Sequence, residues 1–193
     1  MAGYARFTAL LDACVIYPVA VVDSLLSASK LGLYAPKWTI EIESEWMGSL
    51  EAKNGHPPGS FLKRRDAMRE ACPDWEVPET AWRRLTPCLQ LPDPNDVHVL
   101  AAAIAGHADC IVTTNLKDFP AEVLAPFGIE SIHPDEFLIA QMDLDPLGMI
   151  AAFKRQRERL RRPEMDSEAF ANALAKNGLV AVAQRLREAV DLI

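Results

Sequence analysis

Phe7-Thr8-Ala9-Leu10-Leu11-Asp12 is a short apolar run closed by a carboxylate. It predicts a buried parallel strand, because a strand covered on both faces reads as a near-continuous apolar stretch rather than an alternating one. Working outward, Pro18 suits the first turn of a helix reaching about Leu31, and Gly32 supplies its C-terminal stop. Pro36 to Trp38 reads as a connector. Thr39 to Ala52 predicts a helix, with Ile42, Trp46 and Leu50 along one face. Asn54-Gly55-His56-Pro57-Pro58-Gly59 is a loop.

Phe61 to Ala71 predicts an amphipathic helix that Pro73 ends, Trp75 to Val77 a short strand, and Thr86 to Leu91 a loop or strand. Asp93-Pro94 starts an alanine-rich helix running to about Gly106, with Asp93 as cap and Pro94 at the first position. Cys110 to Thr113 predicts a second buried strand, Pro120 to Leu124 a short helix and Gly128 to Ile132 a last short strand. Strands separated by crossovers of this length pair in parallel, so the class is α/β. Beyond about Pro134 the apolar residues fall at helical spacings, punctuated by Pro146 and Pro163. The division expected is a core over 1–134 and a helical C-terminal extension over 135–193.

The 193 residues fit one compact domain with an appendage. Half of them are hydrophobic and 24% are charged, which argues against disorder. The formal charge of -7 counts mildly against a nucleic-acid binder. The charge is segregated, however. Lys154 to Arg162 is densely basic, with Arg155, Arg159 and Arg162 near one helix face. Such a run is usually a solvated helix; as a functional surface it would hold RNA phosphates or an acidic protein segment. Cys14, Cys72, Cys88 and Cys110 are far apart, with no CxxC pair to suggest zinc, which fits a reducing, cytoplasmic setting. The apolar stretch from Phe7 to Leu33 is broken by Asp12, Pro18 and Asp23, so neither a membrane span nor a signal segment is expected there.

Three acids, Asp12, Asp96 and Asp118, stand at the ends of predicted elements, and a fourth, Glu45, lies inside the helix predicted over Thr39 to Ala52. In an α/β fold such positions can converge, and converging carboxylates repel one another unless a cation sits between them. Each has a plainer reading. Asp12 could be a turn residue, Asp96 a first-turn acid favoured by the helix dipole, and Asp118 a cap before Phe119-Pro120. Glu45 competes with Glu41 and Glu43, and Asp96 competes with Asp93, which is better explained as the cap. Thr113 could orient a ligand or simply end a strand. His98 and His107 read as packing or surface residues.

Leu10-Leu11-Asp12-Ala13-Cys14-Val15, the helical Glu45, Asp93-Pro94-Asn95-Asp96 and Val112-Thr113-Thr114-Asn115-Leu116-Lys117-Asp118-Phe119-Pro120 together resemble a PIN domain. The match runs from about Phe7 to Ile132 and is most similar to the VapC-like ribonucleases of bacterial toxin–antitoxin pairs. The resemblance implies a three-layer α/β/α core with a central parallel sheet, in which carboxylates hold Mg²⁺ or Mn²⁺ and RNA is cut. One ion acidifies a water; a second can stabilise the leaving oxygen. By position, Asp12, Glu45 and Asp96 match the three most typical acids. Asp118 is the expected fourth, and Asn115 falls where the family uses Asp or Asn. The family also implies an antitoxin protein that fills an apolar groove beside the site, and a homodimer.

Two alternatives are weighed against this. One is a catalytically degenerate PIN fold acting as an RNA- or protein-binding module. The other is a haloacid-dehalogenase-type phosphohydrolase, which wants a second Asp two residues after the first; here that position is Cys14.

Overall fold

The computed structural model describes residues 7–161 and 163–193. β1 (Thr8–Leu11) is followed by a single turn, α1 (Ala13–Ile16), then α2 (Val19–Lys30) and β2 (Ala35–Lys37). Three helices come next: α3 (Ile40–Asn54), α4 (Leu62–Ala71) and α5 (Glu79–Trp82). α6 (Val97–Ala105) leads into β3 (Cys110–Val112), and α7 (Ala121–Leu124) into β4 (Glu130–Ile132). The chain then continues through α8 (Pro134–Leu144), α9 (Pro146–Arg159), α10 (Ser167–Lys176) and α11 (Val180–Glu188).

The four strands form one parallel sheet in the order β2-β1-β3-β4. The central pair is the pair read from sequence as buried: Ala9 to Leu11 and Cys110 to Val112 are almost wholly inaccessible. Leu11 is in register with Val112, so the next residues on the two strands, Asp12 and Thr113, stand side by side. After β1 the chain turns toward β2, and after β3 toward β4, on the opposite side. The two central strands therefore flank the switch point of the sheet. In open α/β sheets, a crevice forms there at the carboxyl ends of the strands. Crossovers of the usual right hand place α2 and α6 on opposite faces, giving the layered α/β/α arrangement.

Two local expectations change, and a third narrows from loop or strand to loop. Pro36 to Trp38 is not a bare connector, because Ala35 to Lys37 pairs with β1 as an edge strand. An edge tolerates Pro36, whose missing N–H costs no ladder bond on the outer side. Trp75 to Val77 contributes only a parallel bridge between Trp38 and Glu76, which extends that edge, with Trp38 stacked on Trp75 at 5.1 Å. Thr86 to Leu91 contains no strand. Arg83–Cys88 is instead a 3₁₀ turn, where Pro87 could not donate to a ladder.

Two glycines are fixed by geometry. Gly32 has φ 81°, a left-handed conformation that ends α2. At Gly106 a Cβ would stand 2.8 Å from Val77 Cγ2, so only glycine lets the end of α6 approach this segment.

The C-terminal helices pack on the core rather than apart from it. α8 and α9 lie against α2, and α10 pairs with α11. Buried Gln156 of α9 donates to Ala20 O at 3.1 Å and accepts from Ser24 at 3.1 Å. Asp135 accepts from Ala181 N and Val182 N at 2.7 and 2.9 Å, capping the first turn of α11. Among the described residues, no helix is long and apolar enough to cross a membrane.

Candidate metal centre

Asp12 leaves the carboxyl end of β1 and stands before the first turn of α1, with an extended backbone. The residue is only 6% exposed. Thr113, the matching residue beyond β3, donates its hydroxyl to Asp12 Oδ2 at 2.7 Å. Cys14 Sγ donates to the same oxygen at 3.0 Å. Both donors take Oδ2, so Oδ1 is left without a donor among the described residues. Burial, then the Asp12 charge and its hydrogen bond, push the Cys14 thiol up to about 11, so it stays protonated and keeps donating. A neutral thiol at this position cannot serve as the second carboxyl that dehalogenase-type chemistry requires.

Asp96 arrives from the other side of the switch point. Asp93 accepts Asn95 N at 2.9 Å and caps a 3₁₀ turn, Pro94–Asp96, which feeds directly into α6. Asp93 is thus used by the backbone, as its sequence context implied, and Asp96 is the acid left for the pocket. Burial, followed by the charges of Asp12, Asp93 and Asp118, raises the Asp96 carboxyl to about 6, against a smaller opposing effect of His98.

Glu45 comes from the middle of α3. Its two competitors are engaged elsewhere. Glu43 is buried, accepts Trp38 Nε1 at 3.0 Å, and pairs with Arg69 through both carboxylate oxygens. Glu41 pairs with Arg83 at 3.3 Å. Glu45 is held by His98 Nε2 at 2.9 Å. Burial opposes a charge on His98, but the Glu45 hydrogen bond and the charges of Glu45, Glu41 and Asp12 outweigh it and hold the imidazole above its ordinary value.

Asp12, Glu45, Asp96 and Asn115 line a single pocket of about 510 Å³. Tyr17, Trp46 and Ser49 also line it, and among the described residues no lysine or arginine does. Thr113 lies beneath it, fully buried, and its hydroxyl also accepts Asn115 N at 3.0 Å. Asp118 stands outside the lining, on the 3₁₀ turn Leu116–Asp118, although Asp96 senses its charge. Arg155 and Arg159 are on α9, away from the pocket. Arg155 is exposed, and Arg159 is bound by both oxygens of Asp23 at 2.9 Å. Arg162 lies outside the described residues.

The donor set fits a hard divalent ion. Three carboxylates face one pocket with no lysine or arginine among the described lining residues, and Asp96, through burial and then its acidic neighbours, carries a raised carboxyl. Among the described residues, no group of three or more His, Cys, Asp or Glu side chains is gathered closely enough to hold a metal ion by itself. An open set of carboxylates suits Mg²⁺, which sheds water reluctantly and is commonly held by one or two carboxylates, with waters and substrate phosphate completing its shell.

Sequence reasoning passed over His98, Cys14, Tyr17, Trp46 and Ser49. The one available cue for His98 was its place two residues after Asp96. Nothing in the sequence linked it to Glu45, more than fifty positions earlier.

Comparison with known proteins agrees with the fold. A family model described as PIN domain matches residues 8–117, and a model described as VapC50 C-terminal domain matches residues 134–188. The chain is similar to a Mycobacterium tuberculosis protein named "Putative ribonuclease VapC50", with 49% identity over 65 residues, covering 30% of this chain and 38% of that protein. The match thus spans well under half the length of that relative. No solved structure matches. With the four-stranded parallel sheet, the acids at its switch point and a family model covering more than half of the chain, this protein belongs to the PIN-domain family and resembles its VapC-like branch.

Proposed function

We propose that this protein is a divalent-metal-dependent endoribonuclease and the toxin of a toxin–antitoxin pair. One observation carries the reading: Asp12, Glu45 and Asp96, from three separate segments, line one pocket at the carboxyl end of the sheet. Family membership and the name of the similar protein support the substrate class. Asp12 and Asp96 would hold Mg²⁺ or Mn²⁺, with Glu45 joining directly or through water. When bound, the ion supplies positive charge against the scissile phosphate and raises the acidity of water.

The chain's own residues then have distinct tasks. Thr113 and Cys14 fix the rotamer of Asp12. Tyr17 and Trp46 give the wall an apolar side against which a nucleotide, or an antitoxin segment, can rest. Asn115 brings no charge to the wall and Asp118 stands off it, which favours a single ion over two. Arg155, exposed and without an ion-pair partner among the described residues, offers a cation for RNA phosphate or an antitoxin, whereas Arg159 already pairs with Asp23. Residues 1–134 form the nuclease unit in this reading, and 135–193 a helical extension. A homodimer and a cytoplasmic location belong to the same proposal.

The test is cleavage of a mixed RNA pool by purified protein with Mg²⁺ or Mn²⁺, beside EDTA and Asp12→Asn controls. Cutting that needs the metal and disappears in the variant is expected. Equal cutting by the variant would overturn the assignment. Normal Mn²⁺ binding without cutting of any RNA would favour the binding-module alternative.

A further inference from the structure

His98 has features that a packing residue would not need. It lies on an apolar helix of the core, α6, among Val99, Leu100 and three buried alanines, and its side chain is only 8% exposed. Its Nδ1 is buried without a hydrogen-bond partner among the described residues. An orphaned buried polar atom costs about 1–3 kcal/mol. A hydrophobic side chain at this position would avoid that cost, so stability alone does not account for an imidazole here.

The other nitrogen does have a partner. Nε2 meets Glu45 Oε1 at 2.9 Å and bridges α6 to α3. The ring is kept in place by Trp82, whose centroid is 6.1 Å away at a 55° tilt. The two partners differ sharply in freedom. His98 is enclosed, whereas the Glu45 side chain is 40% exposed and, without this bond, would sample several rotamers in water. The bond takes one carboxylate oxygen and leaves Oε2 without a donor among the described residues.

We propose that His98 is a positioning residue for Glu45, donating from Nε2 so that the glutamate is held in the wall of the pocket that Asp12 and Asp96 also line. This rests on the metal-dependent reading of the pocket and deepens it. The bond holds the glutamate in place before an ion arrives, so less freedom is lost on binding. Outer partners of metal-binding side chains typically change metal affinity by about 10–100-fold when removed.

The test compares wild type with His98→Phe, His98→Gln, Glu45→Gln and the His98→Phe/Glu45→Gln double variant. Mn²⁺ affinity of the RNA-free protein is read by calorimetry, and metal-dependent RNA cleavage is read in parallel. Phenylalanine keeps a ring against Trp82 and removes the donor; glutamine keeps a donor. His98→Phe is expected to weaken Mn²⁺ binding about 10–100-fold, and His98→Gln to recover most of it. In the Glu45→Gln background, His98→Phe should add nothing. Wild-type affinity in a folded His98→Phe protein would overturn the proposal. So would additive losses in the double variant, or no recovery in a folded His98→Gln protein. A His98→Phe protein that fails to fold leaves the decision to His98→Gln, whose Mn²⁺ affinity must then stay near wild type. If wild type binds Mn²⁺ no better than Asp12→Asn, the metal reading itself fails and this proposal falls with it. If wild type binds through Asp12 and His98→Phe matches it, only the role of His98 is refuted.

Discussion

Replacing Asp96 with asparagine should make the metal-free protein more stable while removing much of its response to divalent metal. Burial and three neighbouring carboxylates lift the Asp96 carboxyl from an ordinary 3.8 to about 6 in the folded protein. A shift of that size corresponds to about 3 kcal/mol. The carboxyl is partly exposed, so solvent screening reduces this to about 1 kcal/mol. The raised value means the folded state binds the proton more tightly than the unfolded chain. The resulting stability is therefore full below pH 3.8 and is lost as pH rises through about 6. At pH 7.5 in EDTA the wild type carries the whole penalty and Asp96→Asn carries none. For a chain of this size, about 1 kcal/mol moves the melting temperature by about 2–4 °C. Thermal melts in EDTA from pH 4 to 8 should show the wild type losing ground to the variant between those limits. Adding Mn²⁺ at pH 7.5 should then raise the melting point of wild type far more than that of the variant. Equal or lower stability of Asp96→Asn in EDTA, with the same Mn²⁺ response in both, would refute the claim that repelling carboxylates meet at this pocket.

Two further substitutions separate site support from fold support. Thr113→Val removes a donor to Asp12 Oδ2 while conserving shape; calorimetry should show Mn²⁺ binding weakened about 10-fold or more, with the melt lowered only slightly. Glu43→Ala strips Trp38 and Arg69 of their shared buried acceptor; denaturant unfolding should show a loss of about 2–3 kcal/mol, while Mn²⁺ affinity in the folded protein stays near wild type.

The sheet was legible because its two central strands are too buried to be anything else. Ala9-Leu10-Leu11 and Cys110-Ile111-Val112 carry no alternation, and the capped Asp93-Pro94 turn marks where the alanine-rich segment begins. The edge strand at Ala35 to Lys37 was not legible, since a proline in a three-residue strand looks the same as a linker. Only the family resemblance singled out Glu45 among three acids on one helix; the physical reason lies in the partners, since Arg83 takes Glu41, while Arg69 and Trp38 take Glu43. Those partners lie 26 to 42 positions away, or are the buried indole next to the helix, and no periodicity encodes them. The His98–Glu45 contact was not legible for the same reason. On a helix this apolar, a single histidine looks like core until its distant carboxylate is seen.

The most direct measurement is an anomalous diffraction map from crystals of this protein soaked in Mn²⁺. A peak bonded to carboxylate oxygens of Asp12 and Asp96, with Glu45 beside it and still joined to His98, is expected. A clean map with no peak in that pocket, or a peak held by other side chains, would contradict the metal-centred reading.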